Sequence, residues 1–182
     1  MEKETRRCFI ALNLPREVIN EIKKIQKIIA EKNLFNGKFT EPENLHLTLK
    51  FLGEINDDKI KKVIKRLNEI RFPEFEAELG NAGVFSKKFI KIIWVELLGE
   101  VFELQKIIDD VLKDLFNKEE RFMSHVTIAR VKGVADKKAL FEYLESVEPS
   151  QLKFHIDRFF LKESELLPEG PVYKVIEGFG LK

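Results

Sequence analysis

The strongest constraint on this 182-residue chain is that its pattern occurs twice. The stretches NLHLTLKFLGE (44–54) and SHVTIARVK (124–132) each carry a threonine two positions after a histidine, although the chain has only three histidines and four threonines. With residue order random, that coincidence has a probability on the order of 0.1%. The surroundings repeat too. An aspartate, Asp57 or Asp136, follows each histidine by 11 positions, and a phenylalanine, Phe75 or Phe154, follows it by 29. Equal offsets at successive elements indicate an internal duplication.

Local periodicity fills in each copy. Side chains on a strand point to alternate faces, so His46 and Thr48 share one face while Leu45, Leu47 and Leu49 share the other. His125 and Thr127 stand in the same relation to Val126 and Ile128. RCFIALNLP (7–15) also alternates, and its Pro15 can open a helix with Val18, Ile22, Ile25 and Ile29 at helical spacing. A loop through Gly37–Phe39 and Pro42 leads to the first motif strand. Asp57 is placed to cap a helix carrying Ile60, Val63, Ile64 and Leu67, and 75–85 reads as a strand with a glycine-rich interruption. The second copy follows with a strand at 89–97 and a helix carrying Leu104, Ile107, Ile108, Val111 and Leu115. After the His125 strand come a helix from Asp136 with Leu140, Tyr143 and Leu144, and a closing strand at 152–161.

The expected fold is therefore α+β, β-α-β-α-β twice over, in one two-lobed domain spanning 1–182. Its approximate repeats are 6–86 and 88–162, with a C-terminal segment at 163–182. Spacing fixes neither strand pairing nor docking of the copies. One motif per copy nevertheless suggests two lobes facing across a pseudo-twofold axis, with the histidines meeting in a central cleft.

The rest of the sequence narrows the chemistry. A net charge of +1 leaves any nucleic-acid contact to a local basic patch, to which Lys50 and Lys132 could contribute, although each lysine alone reads as solvated surface. The lone Cys8 excludes an intramolecular disulfide framework and reads as core. No apolar run approaches membrane-spanning length, and the MEKETRR start lacks a signal-peptide apolar region, so a cytoplasmic protein is expected. There is no H-E-x-x-H, no cysteine cluster and no third well-placed histidine for a metal, and no P-loop for ATP; neither metal nor cofactor is expected.

Two histidines on opposite sides of a substrate suit an in-line displacement. One, neutral, takes a proton from attacking water, and the other, protonated, supplies one to the leaving oxygen. The threonine hydroxyls, one pleat away, can donate to phosphoryl oxygens as charge builds there. Phosphorus is the natural electrophile, because no serine or cysteine stands out as a nucleophile. His155, which lacks the motif, reads as structural or surface. Phe51 and Phe122 could stack a base, but in a chain with 16 phenylalanines core packing is the default.

ENLHLTLKFLGEI and SHVTIARVK behind RCFIALNLP resemble the RNA 2′,3′-cyclic phosphodiesterases, also called 2′-5′ RNA ligases, of the two-histidine phosphoesterase superfamily. The resemblance spans the chain; Ser124 stands where the family often has proline. It implies two α+β lobes with antiparallel sheets around a water-filled cleft, one H-x-T-x motif in each lobe. It also implies hydrolysis of terminal 2′,3′-cyclic phosphates to 2′-phosphates, with His46 as proton donor and His125 as acceptor. Thr48 and Thr127 would hold the phosphate. Arg130 matches a basic residue that often follows the second motif and could bind phosphate, the alternative being a solvated strand-end charge. RNA ends, tRNA fragments among them, are then the expected partners, with neither membrane nor protein partner. Two alternatives stay open: ATP-independent 2′-5′ ligation as the reverse transesterification, and a non-catalytic module that binds RNA ends.

Overall fold

Val18, Ile22, Ile25 and Ile29 lie buried along one face of helix α1 (Arg16–Glu31) in the computed structural model, which describes residues 4–168 and 170–182. Pro15, extended at φ −68° and ψ 161°, sits at the N-cap, where its missing N–H costs nothing. Helix α2 (Asp57–Leu67) buries Ile60, Val63 and Leu67. Its cap is Asn56, not Asp57: the Asn56 side chain accepts from the Lys59 N–H at 3.0 Å. Asp57 lies one residue inside, where its carboxylate meets the positive helix end and the Arg6 guanidinium at 2.6 Å. Asp136 does cap its helix, accepting from the Ala139 N–H at 2.9 Å. The two aspartates at equal spacing thus do different jobs. Helices α3 (Val101–Val111) and α4 (Lys137–Glu145) bury Leu104 and Ile108, and Leu140 and Leu144.

Among the described residues, nine strands form one antiparallel sheet: β1 (Thr5–Asn13), β2 (Phe35–Phe39), β3 (His46–Asn56), β4 (Phe75–Val84), β5 (Ile92–Leu98), β6 (His125–Val134), β7 (Lys153–Ile156), β8 (Arg158–Leu167) and β9 (Gly170–Gly180). Their order is β7-β4-β5-β6-β3-β1-β8-β9, with β2 also on β6. Three departures from the sequence expectation stand out. The loop at 37–39 is the strand β2, paired with β6; a Cβ at Gly37 would stand 2.2 Å from the Arg130 carbonyl oxygen, so only glycine lets the two backbones approach. The closing strand at 152–161 breaks at Asp157 into β7 and β8. Much of the segment 163–182 is the β8–β9 hairpin, which extends the sheet beyond β1.

The pairings reveal an exchange between the copies. β4, from the first copy, pairs with β5, the opening strand of the second; β8 returns to pair with β1, the opening strand of the first. β3 and β6 meet through one cross-strand pair, Leu47 with Val126. Those residues are 79 apart, as are His46 and His125, and so are Glu76 and His155, which pair between β4 and β7. A residue can oppose its own counterpart only on the symmetry axis. The pseudo-twofold therefore passes through both pairs, and the motif histidines flank one of them. Among the described residues, no helix is long and apolar enough to cross a membrane.

Candidate active site

His46 and His125 are the first residues of β3 and β6, and the same local device orients both rings. His46 Nδ1 is 2.8 Å from the Asn44 carbonyl oxygen, and His125 Nδ1 is 2.7 Å from the Met123 carbonyl oxygen. A carbonyl only accepts, so each Nδ1 carries a hydrogen and donates it. In the neutral ring Nε2 is then left as the nitrogen that can take a proton. His46 Nε2 lies 3.1 Å from the Thr48 hydroxyl oxygen. Tyr173 meets the His46 ring edge-on at 4.9 Å and Phe9 lies 5.1 Å from it, while Phe85 meets the His125 ring edge-on at 4.8 Å.

Both histidines, both motif threonines and Arg130 line one cleft of about 700 Å³. Burial lowers the proton affinity of each ring, against the pull of the backbone carbonyl. His46 is pushed down to about 4, with the positive charges of Lys162 and Arg130, and of His125 when protonated, adding to burial. His125 is lowered from its ordinary value by burial alone. In the free site, both are therefore neutral at pH 7.

Other sequence readings are revised by position. Lys50 is not solvated: it is buried, with its ammonium on Asp109 and on the Asn117 carbonyl. Lys132 is exposed and does not line the cleft. Phe51 is not core; it is 69% exposed and lines the cleft, whereas Phe122 also lines it but packs partly against the core and lies 6.0 Å from Phe102. His155 is exposed and bonded to Glu74 at 2.7 Å, away from the cleft. Cys8 is buried. Ser124, in place of proline, donates its hydroxyl to the Leu97 carbonyl and ties down the approach to His125.

Sequence reasoning missed Phe9, Phe85, Tyr173 and Lys162. The first two read as ordinary strand apolar residues. Tyr173 sits in the C-terminal segment, where the alternation of PVYKVIEGF is the signal of a strand.

A family model described as LigT like Phosphoesterase matches residues 12–94 and again 95–173. The chain belongs to this family. Among LigT-like phosphoesterase relatives, a protein of Methanocaldococcus jannaschii named RNA 2′,3′-cyclic phosphodiesterase is 33% identical over 94% of this chain and 98% of its own. One of the same name from Methanothermobacter thermautotrophicus is 32% identical over 96% and 98%. The crystal structure of TT0787 from Thermus thermophilus superposes with a TM-score of 0.80 at 28% identity, covering 96% of this chain and 97% of its own. The LigT-like fold is thus shared along the whole chain, as the α+β expectation required.

Proposed function

We propose that this chain hydrolyses RNA 2′,3′-cyclic phosphate ends to 2′-phosphates, using its two motif histidines and no metal. The observation that carries the reading is the matched pair of rings in one cleft, each with Nδ1–H tied to a carbonyl and Nε2 left for proton exchange. The names of the relatives support the substrate class.

In this reading water attacks phosphorus as His125 Nε2 takes its proton. The P–O3′ bond breaks, and O3′ receives the proton carried by His46 Nε2. The products are a 2′-phosphate and a free 3′-hydroxyl. The Thr48 and Thr127 hydroxyls donate to the non-bridging oxygens, and Arg130 offers a cation to the phosphate or its neighbour. His46 must be charged before transfer, yet the free site holds it neutral. The anionic substrate supplies the missing term, because a negative charge beside an imidazolium raises its proton affinity. The kcat/KM profile, which reports the free enzyme, therefore has its limbs below the ordinary histidine range near 6.5, and the kcat profile lies at higher pH.

The direct test is incubation with an RNA ending in 2′,3′-cyclic phosphate, with and without a chelator. The expected product is the 2′-phosphate, formed at an unchanged rate in chelator. A 3′-phosphate product, or turnover lost on metal stripping and restored by one divalent ion, would sink the mechanism.

Arg130 gives a separate expectation. It is exposed and lines the cleft, so Arg130→Ala should weaken RNA binding and flatten the dependence of log affinity on log salt by somewhat less than one unit. An unchanged salt slope in a folded variant returns Arg130 to the role of a solvated charge.

A further inference from the structure

The pseudo-twofold axis makes a close comparison possible between the settings of the two histidines, and they differ in charge. Directly across the strand pair from His46 stands Asn13 of β1; directly across from His125 stands Glu96 of β5. The Asn13 side-chain oxygen accepts from the Lys162 ammonium at 2.8 Å. Lys162 is only 6% exposed, and it is the cross-strand partner of Phe9, whose ring touches His46. By strand register its counterpart is Phe85: Lys162 follows Leu161, the partner of Ile10, as Phe85 follows Val84, the partner of Ile93, and the Phe85 ring beside His125 carries no charge. One motif thus has a buried cation held by an amide nearby, and the other has a carboxylate across the strand and no such cation.

We propose that Lys162 is a positioning residue for proton transfer: its ammonium, held by Asn13 near His46, makes that histidine the stronger acid and so distinguishes two motifs that the duplication left alike. A buried ammonium whose hydrogen-bond partner is a neutral amide keeps its full field, since no carboxylate cancels it. The other groups facing His46 are accounted for. His125 and Arg130, from β6, act in the same direction but more weakly than Lys162. Tyr173, from β9, is held further from ionising by its own burial, and Thr48 and the Asn44 carbonyl carry no charge. A proton held on His46 against this field passes more readily to O3′ as the P–O3′ bond breaks. The incoming phosphate supplies the countercharge that keeps the proton there until then.

The proposal rests on the acid role given to His46 above, and the test separates the two. Histidine ring titrations are followed by NMR in the free full-length chain, alongside pH–rate profiles on a cyclic-phosphate RNA. In Lys162→Met, the His46 midpoint should rise by about one pH unit, with His125 and His155 far less affected, and Lys162→Arg should restore it. The limb set by the acid should move up equally, with the maximal rate lowered several-fold. Lys162→Gln, which can still bond Asn13, serves if the methionine variant does not fold. An unmoved His46 midpoint in a folded variant, or equal movement of His125, overturns the proposal. A raised His46 midpoint with an unshifted rate profile upholds the action of Lys162 on His46 and overturns the acid role itself.

Discussion

His46→Ala and His125→Ala should each lower turnover by about 10²–10⁴-fold or more while leaving the fold and much of the RNA affinity intact. The expectation follows from the roles of the rings: each would move one of two protons in a single displacement. For the same reason, the double variant should be little worse than the poorer single one, since groups that act as a unit are not additive. Wild-type turnover should describe a bell against pH, because the working state needs one ring charged and one neutral. His155→Ala is the control. Its ring is exposed and bonded to an exposed glutamate, so its loss should change turnover little. Steady-state kinetics with circular dichroism on each variant would decide. Near-normal turnover in either motif variant, or damage from His155→Ala equal to theirs, would end the paired-histidine account.

The largest effect on stability is expected at Lys50 and Asp109. Asp109 accepts from the Lys50 ammonium, from the Gln105 amide at 2.8 Å and from the Glu119 N–H at 2.9 Å; Lys50, Gln105 and Asp109 are all buried. Burial alone would raise the Asp109 carboxyl, but these bonds outweigh it and hold it below the usual aspartate range. Removing one partner leaves the other charge buried and unpaired. Lys50→Met or Asp109→Leu should therefore cost about 3–5 kcal/mol, a large part of the roughly 5–15 kcal/mol typical of a domain. The double variant, Lys50→Met with Asp109→Leu, should recover much of that loss. Because Asp109 is depressed in the folded state, its contribution is present above the unfolded aspartate pKa of about 3.9 and fades as pH falls through the lower folded value. Denaturant midpoints of the four proteins give the coupling directly. Single variants as stable as the parent would show that the pair is a passive occupant of the core. Turnover should fall with stability, since the same network ties down the segment that leads to Met123 and thus to the carbonyl holding His125.

The duplication, the four helices and the faces of β3 and β6 were legible because period and spacing are local properties. The strand exchange was not. Nothing near β4 in the sequence says that its partner is β5 and not a strand of its own copy, because backbone ladders carry no residue code. β2 was hidden by its glycine, which reads as a loop until the carbonyl of Arg130 is seen against it. The hidden half of the site has the same origin. His46 and His125 announce themselves through repetition, whereas Phe9, Tyr173 and Lys162 come from strands far apart in sequence that meet His46 only through the order β3-β1-β8-β9. Lys50 misled in the opposite sense: lysine is common in this chain, and only its buried carboxylate partner distinguishes it from a surface charge.

The return of β8 to β1 also sets a timetable for synthesis. Ala11 pairs with Phe160 and Cys8 with Glu163, so one flank of β1 stays open until Phe160–Glu163 have left the ribosome. Contacts that close such long loops form slowly, and an unpaired strand rich in Phe9, Ile10 and Leu12 is exposed to mispairing in the interval. The nascent chain thus carries an unfinished sheet until β8 emerges, and the pocket around His46 is completed only when the β8–β9 hairpin follows.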